Sequence, residues 1–116
     1  MASNNSFNPN GFLNFQTYGT IVLASSGTSA QGNFTSSLSI QANSVMIYNG
    51  SSTVVFVNFG VSTATATAPT TTESASSIPV APGAIVVLTK NIGSDAFAVI
   101  NPAGTGNVYF SAGEGA

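Results

Sequence analysis

The sequence predicts an all-β fold, an antiparallel β-sandwich of jelly-roll type with little or no helix, and three observations predict it. Apolar residues recur at period two in short runs between Phe12 and Phe110. Gly, Pro, Asn and Ser clusters punctuate those runs at roughly the 8–12-residue spacing of β-sandwich turns. No window of about eleven residues carries a helical apolar period free of Gly, Pro or β-branched runs. A closed β-barrel is the alternative that the same pattern allows.

Taken in order, residues 1–11 (MASNNSFNPNG) are polar and hold Pro9 and an Asn10-Gly11 turn signal. They read as an extended or flexible arm preceding one β domain over 12–116. FLNFQTY and TIVLA are strand-like runs around Gly19. Phe34, Ser36, Leu38 and Ile40 fall at period two and predict a half-buried strand. Val45–Tyr48 and Thr53–Val57 flank Asn49-Gly50, a pairing that predicts a hairpin because both turn residues tolerate positive φ.

Val55, Val57 and Phe59 then share a face. Thr and Ala alternate from Thr63 to Ala68, again a strand pattern, ended by Pro69. Residues 70–77 form a polar loop. Ile78–Gly83, with two prolines, fits an edge strand entering a turn. Ile85–Thr89, Phe97–Ile100 and Val108–Phe110 complete the strands. The expected core is Phe34, Leu38, Ile40, Ile47, Val55, Val57, Ile85, Val87, Val99 and Phe110.

Charge is scarce. The chain has one basic and three acidic residues, 3% charged in all, where about 25% is ordinary. Ser, Thr and Asn must supply the polarity. Such a surface suits burial in an assembly, because no ion has to be desolvated, and it predicts a homo-oligomer, a dimer or trimer. A single Lys and no Arg exclude an electrostatic nucleic-acid track. No apolar run approaches the ~20 residues of a membrane helix. The N-terminus lacks the basic and apolar regions of a signal peptide.

Catalytic chemistry has few carriers. There is no His and no Cys, which removes the commonest base, nucleophile and metal ligands. Glu73, Asp95 and Glu114 are far apart in sequence. The expectation is therefore no enzyme activity, no cofactor and no metal. Tyr18, Tyr48 and Tyr109 could stack on a sugar, although aromatics of this kind more often rim a core.

The second half carries a combination of motifs: VMIYNGSSTVVFVNFG, ATATAPT, SIPVAPGAIVVL and AFAVINPAGTGNVYFSAGEGA, in that order from Val45 to Gly115. It resembles small structural proteins of tailed bacteriophages, of the capsid decoration (cement) type and related head or tail accessory proteins. The resemblance implies a virion protein, made in the host cytoplasm, that binds the major capsid protein or other virion proteins and stabilises the head shell. A carbohydrate-binding module of a tail tip or spike is the alternative. Phe7, Pro9 and Asn10 are the candidate shell-contacting residues of the arm.

Overall fold

The computed structural model describes residues 16–114. The arm at 1–11, with Phe7, Pro9 and Asn10, lies outside these residues. Eight strands follow in order: β1 (Gln16–Ser25), β2 (Ala30–Asn33), β3 (Ser44–Asn49), β4 (Val55–Gly60), β5 (Ile78–Val80), β6 (Ile85–Thr89), β7 (Ala96–Ile100) and β8 (Gly106–Glu114). One short helix, α1 (Ser37–Gln41), lies between β2 and β3.

The strands form two four-stranded sheets. The front sheet has the order β1-β8-β3-β6 and the back sheet β2-β7-β4-β5. Every pairing is antiparallel, and neither sheet closes into a barrel among the described residues.

Alternation puts one face of each sheet inward. On the front sheet Ile21, Phe110, Ile47 and Val86 stand in one row. On the back sheet Ala30, Val99 and Val57 do the same. These faces meet in one core, where Val45, Ile47, Val55, Val57, Phe97, Val99, Val108 and Phe110 are fully buried. Phe97 stacks on Phe110 across the sheets at 4.5 Å and meets Phe34 at the same distance. Gly32 makes room for it: a Cβ there would sit 2.7 Å from the Phe97 ring.

Four expectations need correction. Residues 34–40 are not a strand. Ser36 Oγ accepts from Ser39 N–H at 3.1 Å and starts one turn of helix, the local bonding by which Ser competes with sheet ladders. Phe34 stays in the core, but Leu38 is 62% exposed.

Strands β3 and β4 are not a hairpin either, because they belong to different sheets. Asn49 remains in β3, and Gly50 does not take positive φ, so no tight hairpin turn forms. The Asn49 side chain instead organises a crossover. Its Nδ2 donates to Thr53 O and Val80 O, and its Oδ1 accepts from Ser51 N–H and Ser51 Oγ.

In β6 the inward face has the other parity. Val86 and Leu88 pack on the core, opposite Ile47 and Val45, and Ile85 is exposed outward. An uninterrupted Ile-Val-Val-Leu run carries no alternation from which to read the face. The fourth correction is that the Thr-Ala segment after β4 joins no sheet ladder.

Candidate interaction surface

The two outward faces of the sheets are built differently. On the back sheet, Gln31, Ala98 and Asn58 form one outward row, and Asn33, Ala96 and Gly60 the next. The Thr-Ala segment runs across them as a strap. Ser62 O accepts from Asn33 Nδ2 (3.1 Å) and Gln31 Nε2 (3.3 Å). Ala64 N–H donates to Gln31 Oε1, and Ala66 N–H to Ser29 Oγ. Asn58 Nδ2 donates to Thr65 O from the other side.

The pattern has a register. Residues 62, 64 and 66 meet side chains 33, 31 and 29, so an extended segment runs antiparallel to β2 and bonds its side chains in place of its backbone. The period-two sequence is thus an extended chain, bonded differently from a strand. Asp95 Oδ1 anchors the start by accepting from Ser62 N–H at 2.8 Å, and Ser77 holds the end at Thr67. Ser62 adopts a left-handed φ of 68° to enter the strap. Gly60 is required here, because a Cβ would collide with Thr63 O. Beneath the strap Ala96 and Ala98 are buried although they face outward.

The front sheet has no such cover among the described residues. Val22, Tyr109, Tyr48 and Ile85 form one row across all four strands. Thr20, Ser111, Met46 and Val87 form the next. Val22, Tyr48 and Ile85 are 48%, 41% and 62% exposed. The Tyr48 and Tyr109 rings stack at 5.7 Å. No charged side chain stands in either row. A contiguous apolar patch of this kind is uncommon on an isolated soluble domain and marks contact sites.

The charged residues lie elsewhere. Lys90 is buried at 5% exposure. Its Nζ donates to Ile40 O (2.9 Å) and Ser94 O (3.0 Å) and stands 5.9 Å from the centre of the Phe34 ring. Burial pushes its ammonium below the ordinary pKa of 10.5, and Asp95 partly opposes this. Its work is to satisfy the end of α1 and the following turn. Glu73 belongs to the exposed 70–77 loop, where Thr70 Oγ1 accepts from its N–H. Glu114 ends β8.

Among the described residues no three His, Cys, Asp or Glu side chains gather as a metal site, and no helix is long and apolar enough to cross a membrane. An open cleft of about 190 Å³ between β1 and α1 is lined by Tyr18, Ile21, Phe34 and hydroxyl residues. It is smaller than the ~300 Å³ at which ligand pockets begin. Of the three tyrosines, the fold brings Tyr48 and Tyr109 together and leaves Tyr18 in this cleft.

A buried polar network closes one end of the molecule. Asn101 Nδ2 donates to Ser25 Oγ and Ser51 Oγ, while its Oδ1 accepts from Thr53 Oγ1 at 2.7 Å. With Asn49 this joins both sheets. No buried side-chain polar atom lacks a partner among the described residues, so the network is structural in its bonding. Comparison with protein families, with characterised proteins and with solved structures gives no match.

Proposed function

We propose that this chain is a structural protein of a virus particle, a capsid decoration or cement protein that binds the phage head shell and does no chemistry. The observation that carries the reading is the uncharged apolar face of the front sheet, which no described residue covers as the strap covers the back sheet. The motif combination of the second half supports the same reading. Its partners are the major capsid protein or neighbouring virion proteins, together with further copies of itself, as a dimer or trimer. Its place is the virion.

We assign the sandwich to the jelly-roll type. The pairs β1–β8, β2–β7, β3–β6 and β4–β5 are those of one long antiparallel double strand rolled into two sheets, which is the support for that topology. A decoration protein holds a shell through shape fit repeated over many copies, so each contact can be weak. The Val22–Tyr109–Tyr48–Ile85 row offers aromatic and branched anchors without ions to desolvate.

The test is co-sedimentation with particles that lack the protein. Binding is expected to change by less than about threefold between ~50 and ~500 mM salt, since the face has no charges to screen. Deleting residues 1–11 tests whether Phe7, Pro9 and Asn10 contribute. Absence of binding to any particle would refute the reading. Binding instead to host glycan, lost on Tyr48→Ala, would favour the tail-tip or spike alternative.

A further inference from the structure

We propose that β6 is a self-pairing edge: two copies join antiparallel through Ile85–Thr89 and continue their front sheets into one eight-stranded sheet. This rests on the self-association part of the reading above and is independent of the virion assignment.

Four strands end the two sheets, and three are blunted. β5 has three residues, one of them Pro79, which cannot donate to a new ladder. β2 has four residues, including Gly32. β1 carries a register shift between Thr17 and Thr20, with Gly19 at φ 138°, which interrupts its edge at the start and leaves Thr20–Ser25 in regular register.

β6 has none of these devices. It is a continuous Ile-Val-Val-Leu-Thr strand that, among the described residues, pairs only with β3. Among the described residues no backbone or side-chain group bonds its other edge. Lysine is a common guard of sheet edges. Lys90 follows β6 directly, but it is turned inward onto Ile40 O and Ser94 O. The unpaired edge is therefore uncharged as well as regular.

A second copy is the occupant that fits this edge. Pairing about a two-fold axis at Val87 sets Val87 against Val87, Val86 against Leu88 and Ile85 against Thr89. Val86 meets Leu88 on the inward face, Val87 meets Val87 and Ile85 meets Thr89 on the outward face, and no like charges are opposed. The pairing also joins the outward Thr20–Ser111–Met46–Val87 row to the same row of the neighbouring copy. Ile85, 62% exposed on the single chain, would gain a covering neighbour. Five residues of ladder make a small contact, so the dimer is weak at low concentration and strengthened where copies are crowded.

The natural absence of cysteine makes the register directly testable. Val87→Cys is expected to form a disulfide-linked dimer under mild oxidation of the concentrated protein. Val22→Cys, at the opposite edge of the same sheet, is expected to stay monomeric. Sedimentation equilibrium of the unmodified chain up to about 0.5 mM should show a monomer–dimer equilibrium. Val87→Lys should weaken it at least tenfold (~1.4 kcal/mol) by opposing two charges across the axis.

Ile85→Lys serves as a second variant with little risk to folding, because that side chain is largely exposed. A monomer throughout the series overturns the proposal. So does a dimer that both lysine variants, folded by circular dichroism, leave intact. Cross-linking of the Val22→Cys variant without cross-linking of the Val87→Cys variant overturns it too. Shell binding by a protein that stays monomeric would remove the edge contact and leave the decoration reading standing.

Discussion

The outward face of the back sheet and that of the front sheet differ in what the chain does with them. Both are crossed by antiparallel rows with small or apolar residues. On the back sheet the chain returns over its own face, and Ser29, Gln31, Asn33, Asn58 and Asp95 hold the strap down by hydrogen bonds. On the front sheet Val22, Tyr48 and Ile85 are exposed and Tyr109 is half-buried beside Tyr48. The lesson is that a charge-poor chain need not be bare on every side. Its described residues cover one face and leave the other open, which makes that second face the place to look for a partner.

The largest expected effect comes from putting a charge under the strap. Ala98→Lys, at a fully buried site, should cost more than about 4 kcal/mol and leave little soluble protein, since the ammonium has neither room nor a partner. Tyr48→Lys, the matching change on the front face, should alter stability by under about 0.5 kcal/mol while weakening shell binding at least ~30-fold as a loss of a central anchor. Equal costs at the two sites, measured by urea denaturation, would erase the comparison.

In the shared core, Phe97→Ala or Phe110→Ala should cost about 3–5 kcal/mol and Val57→Ala about 2 kcal/mol. Those losses should be independent of either outer face. Gln31→Ala removes two strap bonds, the donation to Ser62 O and the acceptance from Ala64 N–H. It should cost about 1 kcal/mol and speed amide exchange at Ala64, whose N–H loses its acceptor, more than at Ala66, which Ser29 Oγ still holds.

The smallest effect is a pH dependence. Because burial lowers the Lys90 pKa, the unfolded chain holds that proton to higher pH than the folded one. Stability should therefore rise as pH climbs from the folded pKa toward 10.5. It should be flat in this respect below the folded value, where both states are charged. Comparing the urea midpoint of the unmodified protein with Lys90→Met across that window isolates the slope; a fall with rising pH would contradict it.

The β class, the edge strand at Ile78–Val80 and the inward face of β4 were legible in the sequence because Pro79 and the Val55–Val57–Phe59 alternation act locally. The exposed 70–77 loop was legible for the same reason. The sheet assignment of β3 and β4 was not. Asn49-Gly50 signals a turn, but whether Asn49 turns the backbone or bonds Thr53 O and Val80 O depends on a partner 31 residues away. The parity of β6 was hidden by its unbroken apolar run.

The strap was half legible. Its period two was visible, yet only the positions of Gln31 and Asn33 in β2 and of Ser29 just before it decide that it bonds side chains. Tyr48 and Tyr109 could be named as aromatic candidates, but their meeting, and the row with Val22 and Ile85, needed the strand order. Nothing local marks Lys90 as buried, because its two carbonyls come from Ile40 at the end of α1 and Ser94 in the turn after β6.

The proposed shell contact lies on the front face, which no described residue covers, and not on the strapped back face. Hydroxyl-radical footprinting of the protein free and on particles tests it most directly. Met46, Tyr48 and Tyr109 are reactive residues on the front face. All three should be protected at least about threefold on the particle, with Thr63, Thr65 and Thr67 of the strap unchanged. Protection of the strap with Met46, Tyr48 and Tyr109 labelled as in the free protein would contradict it.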